Sequence, residues 1–406
     1  MSGLSKALKS SSLLPAVWLI IALAGISQLS ETVYTPSLPA IARTFHAKPS
    51  IVEYTLAIFF LGFALGTLFF GKISDHFGRK PCMLVGLLIF VLGSLGCYYS
   101  GSIMELMGGR LLQAFGASIG SVLVQALVRD VLSGPALGKM YSFVGSSLSL
   151  FPIIGPILGV FIDERFGWHA IFLLLSFFGF FLIISVMVNV KETHHQKDQK
   201  PVSFITVAGI LLRDKKVMTL AFILAATHGI SYSYFAEGSF YFIELLKLAP
   251  RYYGLTFIFL AIGMFLGGML SLKLNNIYTS GQVMDYGLKI VFGGALFFSS
   301  VMLLHAWLSF SREVLIVATV ASQTIIVFGI CMTITNALAI ALVDYKWCVG
   351  TASSLLGFFY CSGTSLFTFG MGTLHNKTVY AMPFYFLGIS ILTLLVRIRS
   401  GERIGR

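Results

Sequence analysis

Apolar residues gather along the chain into twelve windows of about 20 residues, the length a helix needs to cross the hydrocarbon of a bilayer. Their approximate cores are 13–33, 51–71, 81–99, 103–127, 138–161, 168–190, 217–243, 253–272, 284–306, 313–342, 350–371 and 379–397. Short polar breaks separate them. The densest of these is GKISDHFGRK at 71–80, which places Lys72, Asp75, Arg79 and Lys80 between TLAIFFLGFALGTLFF and LVGLLIFVLGSLGCYYS. A lipid-exposed backbone must bond its own amides, so windows of this kind form helices. The pattern predicts an all-α membrane protein with twelve transmembrane helices.

The strongest interruption, KETHHQKDQKP at 191–201, has six windows before it and six after. It divides the chain into an N-terminal six-helix bundle at 1–190, a linker at 191–216 and a C-terminal six-helix bundle at 217–406. Within the linker, VSFITVAGILLRDKKV can lie as an amphipathic helix on the membrane surface. Gly25-Ile26-Ser27 in span 1 recurs as Gly229-Ile230-Ser231 in span 7, each followed by an acidic residue, which suggests two pseudo-symmetric halves. The N-terminus has the basic start and apolar middle of a signal peptide, but its removal would leave eleven spans and break that symmetry. It is read as span 1.

Composition excludes one water-soluble core, because 57% of the residues are hydrophobic and only 11% are charged. The 28 Lys and Arg fall mostly on one side: with the N-terminus inside, twenty are cytoplasmic, seven are outside and Arg110 lies within a span. Positive charge is retained on the cytoplasmic side during insertion, so both termini are expected there, in a bacterial inner (cytoplasmic) membrane. The net charge of +12 is spread over membrane-edge loops, which points to anionic lipid and not to nucleic acid. Five scattered cysteines make no C-x-x-C pair, and His194 and His195 sit in a solvated linker, so no metal, cofactor or disulfide framework is expected. No nucleotide loop or nucleophile–base pair appears, so the chain is not read as an enzyme.

GKISDHFGRK resembles the loop 2–3 signature of the major facilitator superfamily. Gly71 and Gly78 permit close helix approach and a tight turn. Asp75 can pair with Arg79 or with Arg129 of the Arg129-Asp130 pair that closes span 4, giving a gate on the cytoplasmic face. VYTPSLPAIARTF, GRLLQAFGASIGSVLVQALVRD, FPIIGPILG, FGWHAIF and ISYSYFAEGSFYFIELLKLAPRYYG together resemble the bicyclomycin-resistance branch of the twelve-span drug:proton antiporters. The resemblance implies two six-helix bundles around a central cavity, acting as a monomer by alternating access. It also implies a hinge at Gly155, Pro156 and Gly159, and it brings Gln113 in with Arg110. Two carboxylates depart from the branch pattern: Glu31 stands beside Thr32, and Glu237 occupies a place usually small and polar.

Charge inside a span costs about 3 kcal/mol or more and tends to face a cavity or a partner. Glu31 lies near the outer end of span 1, and Arg110 lies about six residues, or about 9 Å, inside span 4. The two are expected to pair, with Glu237 facing them at a similar depth from the other half and Tyr34, Tyr232, Tyr234 and Phe235 lining the cavity. Burial and a nearby arginine act in opposite senses on the ionisation of such an acid, as a proton carrier requires. The expected function is proton-coupled export of small organic molecules, lipophilic or cationic drugs or an endogenous metabolite such as a siderophore. Proton-coupled nutrient import on the same fold is the alternative.

Overall fold

The computed structural model describes residues 15–132, 134–148, 150–192 and 203–401. Lys6, Lys9, His194, His195, Arg403 and Arg406 lie outside the described residues. Among those described there is helix and no strand.

The N-terminal half holds α1 (Val17–Thr32), α2 (Leu38–Thr44), α3 (Pro49–Phe77), α4 (Arg79–Tyr98), α5 (Ile103–Ala117), α6 (Ile119–Val131), α7 (Gly134–Leu148), α8 (Phe151–Phe166) and α9 (His169–Asn189). After α10 (Phe204–Arg213), the C-terminal half holds α11 (Lys215–Ser239), α12 (Pro250–Leu274), α13 (Ser280–Leu308), α14 (Arg312–Ala341), α15 (Val349–Leu374) and α16 (Ala381–Arg399). Three crossings are made of two pieces each: α1 with α2, α5 with α6, and α7 with α8. That gives the twelve crossings the apolar windows predict. Ten segments are long and apolar enough on their own to cross a membrane. The other two are the divided α7 and α8, and α15, whose many Ser, Thr and Gly residues dilute its hydropathy.

Local chemistry sets the breaks. Pro36 sits in a short 3-10 turn, Thr35–Ser37, that joins α1 to α2. Gly78 takes φ 93°, which lets α3 turn directly into α4. α11 runs on into a π-helical segment, Phe240–Leu245, a distortion common at functional sites.

Both described ends, near Pro15 and Gly401, lie on one face, here the termini face; the opposite face is the far face. α3 and α15 form a long seam between the halves. Near the far face Tyr54 stacks on Phe369 at 4.3 Å, midway Ser365 Oγ donates to the Ala57 carbonyl at 2.7 Å, and toward the termini face Gly71 abuts Ser354. α8 meets α12 in the far half, where Gly254 faces Val160 and Pro156. α6 and α7, the termini-face parts of their crossings, pack on α1 and its neighbours and form no comparable seam with the C-terminal half among the described residues. Among the described residues the halves meet on that side toward the far face.

Candidate functional site

Arg110 is fully buried, and its surroundings account for how a cation survives there. Its Nη1 donates to the Ser30 carbonyl at 3.0 Å and to Gln113 Oε1. Gln113 Nε2 in turn donates to Ser94 Oγ at 2.8 Å, tying α5 to α4. The guanidinium lies 4.0 Å from the ring centre of Tyr34 and 4.2 Å from that of Phe59, so the electron-rich ring faces offset part of the lost hydration. Tyr34 is held by a hydroxyl contact with Thr55 Oγ1 at 3.1 Å.

The expected Arg110–Glu31 pair does not form. Successive helical residues point about 100° apart. The Ser30 backbone therefore serves Arg110, while the Glu31 side chain turns toward the other half. There Tyr232, on α11, donates its hydroxyl to Glu31 Oε1 at 2.6 Å. The Tyr232 ring packs on Phe60 at 4.2 Å and lies parallel to His228 at 6.2 Å. A buried carboxyl group and a phenol thus join α1 to α11 from one half to the other. Tyr234 does not share this position: it is buried inside the C-terminal half against Phe242 and Phe257, because two residues along a helix turn it nearly to the opposite face.

Glu237 lies five residues farther along α11 than Tyr232, about 7.5 Å at the helical rise. It is therefore nearer the far face than Glu31, and not at the similar depth expected. His375, just past α15, puts Nδ1 at 2.8 Å from Glu237 Oε2 and 3.3 Å from Glu53 Oε1 on α3. Glu53 is wholly buried, and neither of its oxygens has an aligned hydrogen-bond donor. Sequence reasoning singled out neither Glu53 nor His375. A signal for Glu53 existed: it shares one helical stripe with Leu56, Ala57 and Phe60, all of them buried.

On the termini face, Arg79 holds the charged loop together. Its Nη1 contacts Asp75 Oδ1 at 2.7 Å and Ser74 Oγ at 2.6 Å, and its Nε contacts Asp130 Oδ2 at 3.2 Å. The Arg79 and Lys80 amides, at the start of α4, donate to the Glu192 carboxylate at 3.0 and 3.1 Å, a favourable place for an anion. Asp75 thus pairs with Arg79 and not with Arg129, and every partner lies in the N-terminal half or just after it. Gly155 and Gly159 of α8 lie against Thr32 and the Val33 carbonyl of span 1, and Pro156 sits inside the same helix. A side chain at Gly159 would collide with backbone directly after the Glu31 turn.

Residues 20–368 match the family described as the Major Facilitator Superfamily. Over 380 residues the chain is 33% identical to a Rickettsia felis protein named only as an uncharacterized transporter, covering 92% of this chain and 93% of that protein. It is 28% identical over 327 residues to the bicyclomycin resistance protein homolog of Haemophilus influenzae, covering 80% of each. Among solved structures, a partially occluded inward-open conformation of the xylose transporter XylE from E. coli superposes with a TM-score of 0.71 at 12% identity, covering 94% of this chain and 97% of that one.

Proposed function

The chain belongs to the Major Facilitator Superfamily and is a membrane transporter, and from that premise we propose that it exports small organic molecules in exchange for protons. One observation carries the proposal: the buried Glu31 carboxyl group, bonded to Tyr232 of the other half with Arg110 held one residue away. A buried acid whose partner belongs to the other half changes its surroundings whenever the halves rock. It can therefore take a proton from one side and release it on the other.

In this reading residues 1–190 and 217–406 are the two moving bundles, joined by 191–216. The termini face, rich in Lys and Arg, is cytoplasmic, and the membrane is the bacterial inner membrane. The cavity offers aromatic faces and an acid, which suits flat, lipophilic or cationic compounds; multidrug and bicyclomycin resistance in the names of relatives points the same way.

Inverted membrane vesicles containing the full chain provide the test. Acidifying the lumen should drive accumulation of a lipophilic cation, and a protonophore should abolish it. Accumulation that ignores the protonophore, or that runs only in the opposite direction, overturns the reading.

A further inference from the structure

Glu53, Glu237 and His375 present one imidazole nitrogen and two carboxylates whose ligand atoms lie within 4.8 Å of one another. Two of the three separations are 2.8 and 3.3 Å. Ligands held tetrahedrally at about 2.1 Å from a zinc-class ion stand about 3.4 Å apart, so small side-chain shifts would bring these atoms into a coordination shell. Mixed imidazole and carboxylate donors suit zinc and its neighbours better than magnesium or calcium, which favour oxygen alone.

Burial points to a ligand independently of spacing. Glu53 is fully buried, and neither carboxylate oxygen has an aligned hydrogen-bond donor, although Oε1 lies 3.3 Å from His375 Nδ1. Leaving such a group unsatisfied is costly. One imidazole cannot satisfy two acids, whereas a divalent ion would balance two carboxylates and a neutral ring. The three groups come from both halves: Glu53 from α3, Glu237 from α11 and His375 from the turn after α15.

We infer that these residues form a binding site for a divalent transition-metal ion, of the zinc class, that bridges the two halves at the far face and holds that face closed. Three protein ligands leave a fourth position for water. This proposal does not depend on which substrate is carried or in which direction.

The test is melting of the purified full chain in detergent after chelator washing, titrated with zinc chloride alone. A saturable rise in melting temperature is expected for the wild type, and none for magnesium at equal concentration. Glu53→Gln and His375→Ala should each weaken zinc binding by about tenfold or more. The exposed Glu313→Gln should not. Glu53→His, which restores a metal ligand of comparable reach, should recover binding and so separates ligand loss from misfolding. No rise in the wild type, or an unchanged zinc response in Glu53→Gln, overturns the proposal.

Discussion

The two ends of the molecule use charge differently. At the far end, Arg43–Glu244 at 3.3 Å and His375–Glu53 at 3.3 Å join one half to the other. At the termini end, Arg79–Asp75, Arg79–Asp130, Lys216–Asp344 and Arg397–Asp285 each stay within one half. A contact inside a half survives a rocking motion, and a contact between halves must break. Under the rocking of the two halves proposed above, the termini-face networks would stiffen each half, whereas the far-face contacts would be the ones that part. Arg43–Glu244 is exposed and contributes little to holding the halves together. His375–Glu53 is buried and contributes more. Between the two ends, Glu31–Tyr232 also crosses from half to half, at the level of the cavity.

The largest expected effect comes from the crossing contact in the middle. Glu31→Gln keeps the shape and removes the titratable group, so pH-driven transport should fall to background. Substrate binding and substrate exchange without a gradient should persist. Transport assays in vesicles with and without a pH gradient separate the two, and undiminished pH-driven transport would remove Glu31 from the mechanism.

Asp75→Asn tests the other end of the comparison. Asp130 and Ser74 still hold Arg79 in that variant, so the half should loosen without coming apart. Transport should drop about tenfold, the effect of about 1.4 kcal/mol lost from a charge-assisted hydrogen bond. Expression and membrane insertion should be normal. Wild-type transport at matched expression would mean that stiffness within the N-terminal half is not needed.

Which of these features the sequence shows depends on how local their causes are. The crossings were legible because a run of apolar residues is a local property, and so were Arg110, Glu31 and Asp75, whose charges stand out against apolar neighbours. Glu53 was harder, although it falls inside the 51–71 window. Four residues from Pro49, at the end of its helix, it reads like any solvated boundary charge. His375 follows the end of a helix and reads the same way. What joins them is the packing of α3 against α15, more than 300 residues apart at Ser365 and Ala57, which no local pattern contains. The orientation of Glu31 away from Arg110 was likewise set by a partner, Tyr232, in the other half.

The far-face cluster yields a smaller, shared effect. Sequence position alone makes Glu237 a cavity acid that should favour cationic substrates. Its contact with His375 makes it part of the far-face cluster, so Glu237→Gln should slow transport of a cationic and a neutral substrate alike, by roughly threefold to tenfold, the effect of weakening one buried hydrogen bond; Glu53→Gln, which neutralises the carboxylate 3.3 Å from the same imidazole, should act in the same sense. Paired measurements at matched expression decide the matter. A loss confined to the cation would return Glu237 to the cavity.

Tyr232→Phe deletes a single hydroxyl and gives the finest resolution. The substitution keeps the ring against Phe60 at 4.2 Å and deletes only the hydroxyl that reaches Glu31 at 2.6 Å. Glu31 itself still titrates, so coupling to protons should survive, unlike in Glu31→Gln. What changes is the strength of the link between the halves, and its size depends on the charge of the acid. A hydrogen bond to a neutral carboxylic acid contributes about 1 kcal/mol, whereas one to an ionised carboxylate contributes about 1.5–3 kcal/mol. These correspond to losses of roughly fivefold and roughly tenfold to a hundredfold in any rate or population that depends on the link. Gradient-driven transport by Tyr232→Phe, set against exchange without a gradient, therefore reports whether Glu31 holds its proton when the far face is closed. No change in either rate would show that the contact is incidental and that the far-face cluster alone selects this conformer.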